Sequence, residues 1–154
     1  MDATMILARM SDAAAAPLVD GLMAHYRRNY GASLDGEFAA YDDAEFEAPR
    51  GALVLLVADG ETIAGGALRT LGAGVGEVKR MWTASAHRRR GHAATVLAEL
   101  ERIAGDRGLH TLRLETADLE TGAIRLYRAN GYVQIAPYGR MAHHPRCVCF
   151  EKRL

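Results

Sequence analysis

The segment from Glu77 to Ala104 constrains this chain more than any other, because it reads as a strand, a basic turn and an amphipathic helix in immediate succession. Glu77 to Thr83 has strand character, and Arg88, Arg89 and Arg90 follow in the turn. From Gly91 onward, Ala93, Val96, Leu97, Leu100 and Ile103 fall on one helical face. A helix that starts at Gly91 leaves its first N–H groups without intrahelical partners and turns its positive dipole end toward those arginines. Gly91 and Ala93 also leave the backbone uncovered, so the main chain there can cradle an oxyanion. The turn lacks both the Gly-x-x-x-x-Gly-Lys-Ser/Thr pattern and Gly-x-Gly-x-x-Gly, so a nucleoside triphosphate or dinucleotide site lacks its usual residues.

Around this unit the elements are short and alternate. Met5 to Arg9 is a candidate strand, and Ser11-Asp12 offers an N-cap for a helix over Ala13 to Tyr30, which Gly31 can close and in which Pro17 and Gly21 are weak points. A second, acidic helix is expected over Ser33 to Glu47. Leu53 to Ala58 and Thr62 to Arg69 flank Asp59-Gly60, a two-residue hairpin signal. Leu71 to Gly74 then turns the chain into the Glu77 strand. Thr111 to Thr116 alternates like a strand, Thr121 to Ala129 reads as a helix closed by Asn130-Gly131, and Tyr132 to Ile135 and Arg146 to Arg153 complete the strands. No repeat or linker interrupts the 154 residues, which are expected to form a single domain over 1–154.

Charge excludes several functions. Nineteen basic and nineteen acidic residues cancel, so no global field holds nucleic acid or an anionic membrane, and the arginine turn lacks interleaved aromatics. The charges are nevertheless segregated: residues 1–61 hold 11 acidic side chains against 4 arginines, and residues 62–154 hold 8 acidic against 15 basic, as suits an anionic ligand held by the second half. The acidic stretch with Asp35, Glu37, Asp42, Asp43, Glu45 and Glu47 reads either as a solvated face or as a lining that draws a cationic ligand. Cys147 and Cys149 match no zinc or redox spacing and point to one face of a strand as packing residues. His87, His92, His143 and His144 do not form a ligand set either, so no metal is expected. His143-His144-Pro145 reads as a last turn beside the ligand mouth. Met1 to Thr4 opens no signal-peptide pattern and no run of eighteen apolar residues occurs, so the expected location is cytoplasmic.

Arg88-Arg89-Arg90-Gly91-His92-Ala93 resembles the pyrophosphate loop of the GNAT-type N-acetyltransferases, which reads Arg or Gln, two residues, Gly, one residue, Gly or Ala. Leu114-Glu115-Thr116 followed by Ala123-Ile124-Arg125-Leu126-Tyr127-Arg128-Ala129-Asn130-Gly131-Tyr132 resembles that family's second diagnostic segment, a strand and then Ala-x-x-Leu-Tyr-x-x-x-Gly-Phe/Tyr. The likeness covers residues 52–153. It implies a mixed α/β (α+β) fold: a central, mostly antiparallel sheet flanked by helices and splayed between two parallel strands, Glu77 to Thr83 and Thr111 to Thr116. Acetyl-coenzyme A would lie in that gap. By the same likeness, the main chain of Met81, Trp82 and Thr83 would pair with the pantetheine arm, the segment Arg88, Arg89, Arg90, Gly91, His92, Ala93 and Ala94 would take the pyrophosphate, and Thr116 and Tyr127 would complete the coenzyme site. Many members carry Asn seven residues before the helix tyrosine, where this chain has Glu120.

The resemblance implies an acetyl-CoA-dependent N-acetyltransferase that acetylates a primary amine of a small molecule or peptide by direct attack in a ternary complex. A non-catalytic acyl-CoA-binding regulatory module is the alternative, and a homodimer is an assembly common in the family. Glu77, eleven residues before Arg88, matches the offset of the family's strand glutamate that serves as general base, while Lys79 on the same strand face offers it a plain salt bridge. Tyr127 matches the tyrosine near the coenzyme sulfur, and a packing role in the helix is the other reading. Strict alternation turns Trp82 away from Glu77 and into the core.

Overall fold

Strand β2 (Gly51–Ala58) is apolar throughout, because both of its faces are covered. Leu53 and Leu55 pack into a cluster beneath the first helix, and Val54 and Leu56 into a second cluster on the opposite face. The computed structural model, which describes residues 2–154, arranges seven strands in the order β1-β2-β3-β4-β5-β7-β6. β1 (Ala3–Ala8) pairs antiparallel with β2, and β3 (Glu61–Gly72) follows through Asp59-Gly60, whose φ values of 50° and 78° are those a tight two-residue hairpin demands. β4 (Val75–Thr83) is antiparallel to β3 and parallel to β5 (Thr111–Ala117). β7 (Cys147–Arg153) pairs antiparallel with β5 and with β6 (Val133–Ile135). This is the mixed, mostly antiparallel sheet that the sequence leads one to expect.

Helix α1 (Ala16–Tyr30) covers one face with Leu18 and Leu22, joined there by Phe46. Helix α2 (His92–Asp106) covers the other, burying Val96, Leu97, Leu100 and Ile103, and α3 (Thr121–Ala129) extends that layer through Tyr127. Each fully buried leucine contributes about 1.5–3 kcal/mol, so the two faces rather than helix propensity hold the layers in place. Among the described residues no helix is long and apolar enough to cross a membrane.

Three local expectations need correction. Ala13–Ala15 forms a 3₁₀ turn and the α-helix starts after it, so Pro17 lies in the first turn of α1, where its missing N–H costs nothing. Asp12 is not a side-chain cap; its Oδ2 accepts from the Arg9 N–H at 2.8 Å. The acidic helix over 33–47 does not form. Residues 31–40 run in turns after Gly31 (φ 59°), and Asp42 starts a separate 3₁₀ turn, Asp43–Phe46, by accepting from the Ala44 N–H while Glu45 reaches back to the Asp42 N–H. Buried Phe46 anchors that turn to the α1 side.

Trp82 packs in the core as expected, but not on the face that strict alternation assigns it. Val78 belongs to the α2-side cluster, so strict alternation would place Trp82 there as well. Instead Arg80 adopts φ 57° and the β3–β4 register slips between Gly65↔Trp82 and Ala67↔Lys79. That bulge puts Met81 on the α2 side and Trp82 against α1, where the indole lies so close to Gly21 that a Cβ would overlap it.

Candidate functional site

β4 and β5 stay paired through just three rungs, ending at Glu77↔Arg113. Beyond it β4 follows β3 to Thr83 and β5 follows β7 to Ala117. A bulge increases the local strand twist, and the one at Arg80 sits where β4 leaves its neighbour. The gap opens into a cleft of about 760 Å³, walled by β4, β5, α1, the start of α2 and α3.

The α2 N-terminus stands at this cleft. Arg89 and Gly91 take φ values of 61° and 81°, and no atom lies within 4 Å of where a Gly91 Cβ would be. Arg88 Nε donates to the Thr83 carbonyl at 3.3 Å, tying the arginine turn to the end of β4. His87 Nδ1 and His92 Nε2 are buried without a hydrogen-bond partner, and both side chains border the cleft. Free helix amides, uncovered backbone and two unpartnered imidazole nitrogens together fit a phosphate-bearing ligand. Met81, Trp82, Thr83, Arg88, Arg89, Gly91, His92, Ala93, Ala94, Thr116 and Tyr127 all line the cleft, whereas Arg90 is exposed outside its wall.

Tyr127 is 5% exposed, packs against Tyr132 and Phe150 at ring distances of 5.8 and 6.3 Å, and still borders the cleft. Burial holds its phenol above the ordinary tyrosine range. Glu77 is placed differently. It is 3% exposed and does not line this cleft; Oε1 accepts from Arg69 Nη1 at 3.0 Å and lies 3.5 Å from Lys79 Nζ, while Oε2 accepts from the Tyr138 hydroxyl at 2.6 Å. The salt bridge to Lys79 is thus present, and the carboxylate faces a second, smaller cavity of about 220 Å³ behind the fork of β4 and β5.

Glu120, at the Asn position of the resembled motif, borders the cleft and binds across it. His25 Nε2 on α1 pairs with its Oε1, and Tyr30 donates to the same oxygen at 3.2 Å. The hydrogen bond from His25 is the main reason that Glu120 titrates below the usual carboxylate range.

Several lining residues escaped the sequence reading. His25, Tyr26, Phe38 and Tyr41 come from segments that no local motif marks, and Glu115 and Lys79 meet at 3.1 Å across the splay. His144 lines the cleft, as its expected turn suggested, and Cys147 joins it. Glu115, Cys147 and Cys149 place three ligand atoms within 4.8 Å of one another. Within this trio Lys79 brings its ammonium to Glu115, and burial pushes the Cys147 thiol up to about 12.

The family model described as Acetyltransferase (GNAT) family matches residues 19–132. The chain is similar to the Uncharacterized N-acetyltransferase YsnE of Bacillus subtilis (strain 168), 34% identical over 99 residues that make up 62% of this chain and 66% of that one. It is also similar to the Uncharacterized N-acetyltransferase YedL of Escherichia coli (strain K12), 39% identical over 93 residues, 57% of this chain and 58% of the other. The matches therefore span less than two thirds of either relative's length. A Klebsiella pneumoniae protein designated an acyl-CoA N-acyltransferase superposes with a TM-score of 0.81 at 27% identity, covering 99% of this chain and 97% of that one. An Elizabethkingia anophelis GNAT family acetyltransferase with acetyl-CoA bound shares the fold at a TM-score of 0.68 and 15% identity, over 99% and 98% of the two chains.

Proposed function

The chain belongs to the GNAT acetyltransferase family, and from that premise we propose that it moves the acetyl group of acetyl-CoA to a primary amine of a small molecule or peptide by direct attack within a ternary complex. The observation that carries this reading is the open α2 terminus at Gly91, set at the fork of two diverging parallel strands. Acetyl-CoA supplies the activated acetyl group. The chain's own part is to bind and to place. Backbone amides from Arg88 to Ala94 take the pyrophosphate, with His87 and His92 beside them, and the main chain of Met81, Trp82 and Thr83 aligns the pantetheine arm along the free edge of β4. Tyr127 stays protonated at physiological pH; it donates toward the departing sulfur as the C–S bond breaks, and the proton shed by the acylated nitrogen restores it through cleft water. Glu77 acts here as a positioning residue: with both oxygens occupied, it fixes Lys79, Arg69 and Tyr138 behind the fork.

Thermal unfolding with and without acetyl-CoA tests the reading, with NADH and ATP as controls. At about 100 times Kd a ligand adds about 2.7 kcal/mol, which raises Tm by roughly 5–10 °C in a domain of this size. A shift with acetyl-CoA alone, together with thiol release in the presence of amines, supports the transferase. A shift with no turnover on any amine leaves a coenzyme-binding module, and no shift removes the reading altogether.

A further inference from the structure

We propose that Glu115 is the docking carboxylate for the acceptor, and that the acceptor is a small primary alkylammonium carrying no carboxylate of its own. The inference rests on the amine-acylating reading above and deepens it.

An ion-pair chain runs behind the fork of β4 and β5 in the order Glu45, Arg69, Glu77, Lys79, Glu115, with contacts of 2.8, 3.0, 3.5 and 3.1 Å. It contains three carboxylates and two cations, so it ends in a carboxylate at both ends and is one positive charge short. At the Glu45 end the second oxygen accepts from the Asp42 N–H at 3.3 Å. At the Glu115 end Oε1 accepts from Lys79, but Oε2 is buried with no hydrogen-bond partner. A buried carboxylate oxygen calls for a donor, and a ligand N–H supplies one where the protein does not. An ammonium group brings both the missing charge and three N–H donors, and it passes one proton to Glu115 Oε2 before its nitrogen, now neutral, attacks the thioester carbon.

The space around Glu115 suits such a group. Glu115 lies two residues beyond the last paired rung and is part of the wall of both cavities, so it is within reach of the cleft where the acetyl group would arrive. The rear cavity of about 220 Å³ is about seven times the volume share of a water molecule, room for a short alkyl chain. Gly139 stands over the free oxygen: a Cβ there would lie 3.8 Å from Oε2. The segment containing Gly139 is held across the cavity by Tyr138 on Glu77 and by Arg140 on Glu37.

The same residues argue against an amino-acid acceptor. The two cations lining the rear cavity already have carboxylate partners, Arg69 with Glu45 and Glu77 and Arg140 with Glu37, and Lys79 beside it serves Glu77 and Glu115. A carboxylate on the acceptor would add a second negative charge to a chain that already has one too many. Burial raises the Glu115 pKa, which makes a cationic partner still more effective in keeping the group ionised.

The test compares pentylamine with norleucine, which differs from it by one carboxylate, on the full chain and on Glu115→Gln. Glutamine keeps the shape and an oxygen for Lys79. Equilibrium binding of each compound is read by calorimetry, and kcat and KM by thiol release from acetyl-CoA. The expected result is that the wild type binds pentylamine at least about tenfold more tightly than norleucine. Glu115→Gln should then raise the pentylamine Kd and KM by about tenfold or more while the acetyl-CoA-induced Tm shift stays as it was. Equal binding of pentylamine by the two chains overturns the proposal, as does no binding by the wild type or a preference for norleucine. Because amine binding is measured directly, tight Glu115-dependent binding without acetyl transfer would sink the transferase reading and leave the docking site standing.

Discussion

His25 Nε2 on α1 and Glu120 Oε1 at the start of α3 meet across the mouth of the cleft, joining two elements that are 95 residues apart in sequence. Both side chains are about one quarter exposed, at 25% and 26%, so the pair is shielded enough to matter for stability as well as for the shape of the mouth. Asn29 holds the other side of the imidazole, its Nδ2 lying 3.3 Å from His25 Nδ1.

The pH dependence of this bridge follows from its sign. Glu120 titrates lower in the folded chain than in the unfolded one, chiefly because of His25. Its contribution is therefore complete above the unfolded carboxylate value of about 4.3 and is lost as pH falls through the folded value. Glu120→Gln should cost about 1–2 kcal/mol at neutral pH, with the gap to wild type closing at acid pH, as read by denaturant unfolding at a series of pH values. A gap that stays constant into the acid range would show that the charge of Glu120 contributes nothing.

At Gly91 backbone strain and ligand electrostatics can be separated. The position has φ 81° and open space around it, so Gly91→Ala pays for the left-handed conformation with about 1–2 kcal/mol but meets no steric clash. Gly91→Glu bears the same strain and adds a negative charge where the pyrophosphate is proposed to sit. Coenzyme A affinity, measured by calorimetry, should fall by at least about tenfold more in the glutamate variant than in the alanine one. Similar affinities for the two variants would move the pyrophosphate away from α2.

The Asp59-Gly60 hairpin, the apolar face of α2 and the cleft-lining residues between Arg88 and Ala94, Arg90 excepted, were all legible in the sequence, because each depends on spacing within a few residues. Arg80 shows where that kind of reading stops. Nothing about an arginine announces a φ of 57°, yet this bulge moves Trp82 to the other face of the sheet. The charge chain from Glu45 to Glu115 is also non-local, assembled from a 3₁₀ turn, β3, β4 and β5, and closed over by Tyr138 from the strap before β7. The sequence pairs Glu77 with Lys79 correctly by strand alternation, but not with the Tyr138 hydroxyl that occupies its second oxygen from 61 residues away.

Tyr127 offers the most direct separation of chemistry from binding. Its ring is anchored by Tyr132 and Phe150 and makes the same contacts as phenylalanine, so Tyr127→Phe keeps the packing and removes just the hydroxyl. Acid–base assistance is worth about 10²- to 10⁴-fold in favourable cases, and water in an open cleft can replace part of it, so kcat should fall by about 10- to 100-fold. The acetyl-CoA-induced Tm shift should remain that of the wild type. Burial keeps the Tyr127 proton in place well past neutrality, so the wild-type rate should show no alkaline fall due to this group up to about pH 10. An unchanged kcat in Tyr127→Phe would assign the residue to the core alone, and an equal loss of coenzyme binding and kcat would make it a contact rather than a proton donor.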